Sequence, residues 1–217
     1  MKRPEGHGYL IAIEGLGGTG KSTIARRLAR VLGERGVDAV LTREPGGTRL
    51  GAELRQLLLG GKFNPAPMAD TFLFEADRAQ SYAEVIIPSL RASKVVICDR
   101  NLYGTIAYQG YGSGVDIGLI DAANRAATSG YYPDLVLVLD TDPDTAAARR
   151  KRQGQSDRFD ERGMQFQERV RAGFLFAADR DHGKAHIIDS TPSLEEVADR
   201  VLALVWDSLP ARLKPDA

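Results

Sequence analysis

Cysteine is almost missing from this chain. Cys98 is the only one in 217 residues, so no internal disulfide can form, and a reducing, cytoplasmic setting is expected. Net charge is missing as well. Lys plus Arg and Asp plus Glu both number 29, which leaves no global field for gripping nucleic acid or an anionic membrane, so any phosphate-binding charge must be local. No apolar run approaches the roughly 20 residues that cross a bilayer. Met1 to Gly8 is polar and lacks the apolar core of a signal peptide. Neither a repeat nor a linker divides the sequence. One soluble domain over 1–217 is expected, with neither nucleic acid nor membrane as partner, and long enough for a single buried core.

Short runs rich in Val, Ile and Leu are present: "YLIAIE" from Tyr9, "KVVICD" from Lys94, "DLVLVLD" from Asp134 and "AHIID" from Ala185. Near-continuous apolar runs fit parallel strands covered on both faces, and "VDAVLTR" from Val37 is a weaker fifth. Between them lie helical spacings. "STIARRLARVLGERG" puts Ile24, Leu28 and Leu32 on one stripe and stops at Gly36. "TFLFEADRAQSYAEVIIPSLRAS" and "GLIDAANRAATSG" read similarly, and Ser193 with Glu196 forms a capping box before "VADRVLALVWDSL". The tail "PARLKPDA" reads as frayed. Strands alternating with helices predict an α/β fold, a doubly wound five-stranded parallel sheet flanked by helices.

Glycine is concentrated where that fold would need it. Four of the six residues from Gly15 to Gly20 are glycine, and the run continues into Lys21, Ser22 and Thr23. Gly15-Leu16-Gly17-Gly18-Thr19-Gly20-Lys21-Ser22 matches the phosphate-binding P-loop pattern, between a predicted strand and a predicted helix as its mechanism demands. Backbone N–H groups, those of Gly18, Thr19 and Gly20 among them, must converge on phosphate oxygens, and the helix adds its N-terminal dipole. Lys21 is expected at the β/γ-phosphates of ATP and the Ser22 hydroxyl on Mg²⁺. Asp99, ending the third strand, is the carboxylate expected to orient that ion. A glycine-rich turn and a strand-terminal Asp are the ordinary readings of the two pieces taken singly.

Further motifs narrow the expectation. "TREPGGT" from Thr42, "FEADR" from Phe74 to Arg78, "DRN" from Asp99, "AYQG" from Ala107 and "DRFDERGMQFQERV" from Asp157 follow one another in order. In this order and spacing the chain resembles the thymidylate kinase family of P-loop nucleoside monophosphate kinases, from about Tyr9 to Leu204. The resemblance implies conversion of dTMP to dTDP with ATP and Mg²⁺, a homodimer, and a cis peptide before Pro45. It implies that Arg55 grips the acceptor phosphate, that Phe74 stacks on the pyrimidine, and that Arg78 donates to its carbonyl. Tyr108 and Gln109 would complete the acceptor wall. Arg100 would bridge the phosphates in the transition state. Residues 149–163 would form a lid, with Arg149, Arg152 and Arg158 as candidate phosphate or adenine contacts and "DST" from Asp189 on the adenine side.

Three positions depart from the family pattern. Gly17 stands where a P-loop carboxylate is usual, Asn101 where an aromatic or His is usual, and Gly104 where serine is frequent. All three touch acceptor recognition more than ATP binding. A kinase for another or 5-modified pyrimidine nucleotide, or a nucleotide-binding regulator without turnover, are the alternatives. Intact Lys21, Asp99 and Arg100 argue against the regulator.

Overall fold

The computed structural model describes residues 8–154, 157–181 and 183–215. The polar segment 1–7, Gln155 and Ser156 of the expected lid, and the last two residues lie outside the described residues. In chain order the elements are β1 (Tyr9–Glu14), α1 (Lys21–Glu34), β2 (Ala39–Arg43), α2 (Arg49–Leu59), α3 (Pro67–Ser81) and α4 (Ile87–Arg91). There follow β3 (Val95–Asp99), α5 (Leu102–Thr105), α6 (Ile117–Ala127), β4 (Leu135–Asp140), α7 (Pro143–Arg152), α8 (Met164–Arg180), β5 (Ala185–Asp189) and α9 (Leu194–Ser208). The five strands make one all-parallel sheet in the order β2–β3–β1–β4–β5.

Strand periodicity explains the three layers. Ile11 and Ile13, Val95 and Ile97, and Leu135, Leu137 and Leu139 point to one face, where Ile24, Leu28 and Leu32 of α1 and Val197, Val201 and Val205 of α9 cover them. Leu10, Ala12, Val96, Cys98, Val136 and Val138 point to the other, against Tyr82, Ile86 and Leu90 on one side and Phe166, Val170 and Phe174 on the other. Each fully buried Leu, Ile or Phe contributes about 1.5–3 kcal/mol, which is why the three central strands need continuous apolar runs. The α9 capping box forms as the sequence predicts.

Two local expectations, for β5 and for the tail, need correction. β5 is not covered on both faces: it is an edge strand, and Ile187 is 54% exposed. The segment Ile106–Gly112 winds as a π-helix. The tail is not frayed throughout. Ala211–Leu213 forms a 3₁₀ turn, and the Lys214 ammonium sits 5.5 Å from the Trp206 ring centre. In helix α8, Phe166, Val170, Gly173, Phe174 and Ala177 form the buried stripe at helical spacing.

Candidate active site

β1 lies in the middle of the sheet with β3 on one side and β4 on the other, and at such a switch point the carboxyl ends of the strands open into a crevice. Parallel register sets Asp99 beside both Ile13 and Arg43. The segments leaving β1, β2 and β3 therefore meet at one cleft of about 1040 Å³, at the upper end of the roughly 300–1,000 Å³ common for small-molecule sites.

The glycine loop forms one end of this cleft. Phosphate approach is only part of why glycine is needed there. A Cβ on Gly15 would stand 2.3 Å from the Leu139 carbonyl oxygen, and one on Gly18 would stand 2.3 Å from that of Ala146. Both residues also have left-handed φ, 131° and 82°, so the loop threads between β4 and α7 in a shape no side chain tolerates. Helix α1 begins at Lys21 with no side-chain cap and no acid in its first turn, leaving its N–H groups to an anion. Lys21 Nζ turns back to the Leu16 carbonyl. Burial and then Arg100 pull the ammonium down to about 7, against Asp99 and Glu14. An incoming phosphate would reverse that shift. Ser22 Oγ donates to Asp99 Oδ2, which places two hard oxygen donors side by side next to Lys21.

Arg100 holds the middle of the cleft in a left-handed conformation, φ 73°. A non-glycine residue there costs about 1–3 kcal/mol, and the surroundings enforce it: Arg100 N donates to the Ile13 carbonyl at 3.0 Å, and the Arg100 carbonyl accepts from Cys98 Sγ at 2.9 Å. Its Nη1 donates to the Gly15 carbonyl at 3.0 Å. Arg55 reaches in from α2, its Nη1 2.8 Å from the Pro45 carbonyl oxygen, and the Glu44–Pro45 peptide is cis. Burial, then repulsion by Arg43 and Arg100, lowers Arg55 to about 10. Arg43, Arg55 and Arg100 all line the cleft, and no carboxylate pairs with them among the described residues. Three guanidiniums gathered with no carboxylate at salt-bridge distance among the described residues form a second anion site.

Phe74, Arg78, Tyr108 and Gln109 also line the cleft, and the Tyr108 ring centre lies 5.2 Å from the Arg100 guanidinium. Arg78 is less free than its sequence reading implies. Its Nε pairs with Glu44 at 2.9 Å, its Nη1 with Glu75, Thr105 and Asn124, and its Nη2 with the Asn101 carbonyl. Gln109 Nε2 donates to Asp70 Oδ2 at 3.0 Å. Asn101, the departure after Asp99-Arg100, is framework: its side chain accepts from the Tyr82 hydroxyl and donates to Glu44.

Gly104 is a gap with a consequence. A Cβ there would lie 3.9 Å from Glu14 Oε2, a fully buried carboxylate oxygen with no partner among the described residues. The other oxygen accepts from the N–H groups of Asn101 and Tyr103. Burial raises the Glu14 pKa, against Arg100. Gly104→Ser is expected to place a hydroxyl on Oε2 and stabilise the fold by about 1 kcal/mol, read as a Tm rise of about 2–4 °C. An unchanged or lower Tm would show that the oxygen has no need of a partner.

The expected lid arginines do not line the cleft. Arg149 donates to the carbonyls of Ser190 and Thr191, at 2.7 and 3.0 Å, and so lies against the loop after β5. Arg158 binds Asp70 and the Leu58 carbonyl. Arg152 is exposed at the end of α7. The cleft is lined instead by Arg150, Phe159 and Asp160, which sequence reasoning passed over. The Phe159 ring centre lies 6.0 Å from that of Phe74 and 5.2 Å from that of Tyr108. Its only sequence signal was membership of the "DRFD" motif.

A parallel sheet carrying a P-loop at its switch point, an adjoining Asp-Arg pair, and a second anion site facing an aromatic wall define a P-loop nucleoside monophosphate kinase. The family model described as thymidylate kinase matches residues 13–201. The chain belongs to the thymidylate kinase family. It is 43% identical to a thymidylate kinase of Pelotomaculum thermopropionicum over 95% of this chain and 97% of that one. It is 44% identical to one of Desulfovibrio desulfuricans over 86% and 90%. The crystal structure of thymidylate kinase from Ehrlichia chaffeensis superposes with a TM-score of 0.77 at 34% identity, covering 92% of this chain and 99% of that one. Among the described residues no helix is long and apolar enough to cross a membrane.

Proposed function

We propose that the chain transfers the γ-phosphoryl group of ATP to dTMP, giving ADP and dTDP. The observation that carries this reading is the presence of two anion sites in one cleft, the P-loop and the group of Arg43 and Arg55, with Arg100 reaching the P-loop at the Gly15 carbonyl. In the reaction an oxygen of the acceptor α-phosphate attacks the γ-phosphorus, and the bond from that phosphorus to the bridging oxygen of ADP breaks. The acceptor is already anionic, so no proton need move. Catalysis is then positioning and charge neutralisation. Lys21 and the loop N–H groups hold the donor phosphates. Arg55 holds the acceptor phosphate, and Arg100, between them, meets the charge on the group in transit. Phe74 and Tyr108 flank the base, with Arg78 and Gln109 at its polar edge. Ser22 and Asp99 would hold Mg²⁺, which neutralises phosphate charge when bound; two oxygen ligands suit an ion that keeps waters and phosphate oxygens as its other ligands.

In this reading the chain is one domain, and residues 149–163 act as its lid, with Arg149 on the adenine side. Two copies associate through the faces of α3 and α6, where Phe72 is 59% and Leu119 40% exposed. Sedimentation is expected to give a dimer, and a monomer at micromolar concentration would contradict this. A coupled assay of ADP release across nucleoside monophosphates tests the function. The highest kcat/KM is expected with dTMP. Tight ATP binding without transfer to any pyrimidine monophosphate would favour the regulator instead.

A further inference from the structure

Glycine at position 17 is not explained by backbone shape. Its neighbours Gly15, Gly18 and Gly20 have left-handed φ, and Gly17 does not, so its backbone would accept an ordinary residue. What a side chain there would displace is Arg150. A Cβ at position 17 would lie 2.8 Å from Arg150 Nη1 and 2.9 Å from its Cδ.

Arg150 comes from the last turn of α7 and is nearly buried, 8% exposed. Its Nη1 donates to the Gly17 carbonyl at 2.8 Å, and its Nε pairs with Asp160 Oδ1 at 2.9 Å. Asp160 stands on a turn closed by Asp157. The Asp157 carboxylate accepts from the Phe159 N–H at 2.9 Å, and the Asp157 N–H donates to Asp160 Oδ2 at 3.1 Å. Phe159, within that turn, packs on Phe74 and Tyr108. A continuous chain of contacts thus runs from the phosphate loop, through Arg150 and Asp160, to the aromatic wall.

We propose that Arg150 is a positioning residue that holds the 157–162 turn against the phosphate loop, and that glycine at 17 exists to make room for it. The guanidinium can do this because its fork addresses two acceptors in different directions at once; a lysine ammonium on a flexible stem offers no such fixed geometry. Arg150 thereby fixes where Phe159 stands, and so the width of the slot between the loop and the acceptor wall. The kinetic part rests on the phosphotransferase reading above; the structural part does not.

The test is a cycle of Arg150→Ala, Gly17→Ala and the double variant, with Arg150→Lys as the milder change that keeps the charge. Backbone hydrogen exchange and steady-state kinetics are measured on each. Arg150→Ala is expected to speed exchange at 158–162 at least about tenfold, leaving the amides of the central strands unchanged. KM for dTMP should rise about tenfold, within the usual range for coupling between sites, while KM for ATP stays within about twofold. Gly17→Ala should reproduce both effects, because its methyl evicts the guanidinium. The double variant should be no worse than either single one, since residues sharing one contact are not additive. Arg150→Lys should follow Arg150→Ala in exchange. Unchanged exchange at 158–162 in Arg150→Ala or Arg150→Lys would overturn the proposal. So would losses that add across positions 17 and 150, or a fall in Tm with KM for dTMP unmoved. If no acceptor turns over in the wild type, the phosphotransferase reading fails alone, and the exchange cycle still decides the role of Arg150.

Discussion

Replacing Arg100 by alanine is expected to lower kcat by about 10³ or more, roughly 4 kcal/mol of transition-state stabilisation. The argument rests on position. Arg100 stands between the P-loop and Arg55, its Nη1 on the Gly15 carbonyl, and its left-handed backbone is held by hydrogen bonds at both N–H and carbonyl. Strain kept in place by its surroundings is what a preorganised charge requires. The protein should stay folded, since alanine keeps both backbone bonds and removes only a side chain that fills no apolar core. Lys21→Ala is expected to act comparably through the donor phosphates. Rapid-quench measurement of the chemical step decides the matter: a rate within a few-fold of wild type for Arg100→Ala would take Arg100 out of the reaction.

The second large effect is on stability. Arg78→Met should destabilise the fold by about 3–5 kcal/mol at pH 7, the usual cost of stripping the partner from a buried ion pair. Arg78 is 2% exposed, and it lies against two buried carboxylates, Glu44 and Glu75. Burial raises Glu44 from its ordinary 4.5 to about 8 even with Arg78 present. A carboxyl whose folded pKa is raised holds more protons folded than unfolded, so its stabilising contribution is full below pH 4.5 and is lost as pH rises toward 8. Without Arg78 that rise should be larger, so the loss should be smaller at pH 5 than at pH 8. Urea denaturation of both proteins across that range would show it. A pH-independent loss would mean that packing, not charge, is what Arg78 supplies.

Much of this molecule is legible in the sequence because its main signals are local. The central strands β1, β3 and β4 read as apolar runs because both of their faces are buried, and the P-loop reads as a glycine cluster because a strand, a tight loop and a helix start must follow in immediate succession. What stayed hidden depends on long-range placement. Nothing in "AHIID" says that β5 is an edge strand with an exposed Ile187; strand order decides that. The run "ARRKR" offers several arginines of one type, and only the docking of α7 on the loop selects Arg150 for Gly17 and Arg149 for the loop after β5. Likewise Arg78 reads as a base contact four residues from Phe74, but the five acceptors around it come from Glu44, Glu75, Asn101, Thr105 and Asn124, spread over 81 positions of chain.

The most direct test of the account follows the phosphorus itself. Wild-type protein, ATP, dTMP and Mg²⁺ are mixed and watched by ³¹P NMR, with Arg100→Ala run beside it. The account predicts that the γ-resonance of ATP gives way to the β-resonance of dTDP in step with ADP, without free phosphate, and that this exchange nearly stops in the variant. Loss of ATP to free phosphate with dTMP unchanged, or no loss at all while ATP is bound, would contradict it.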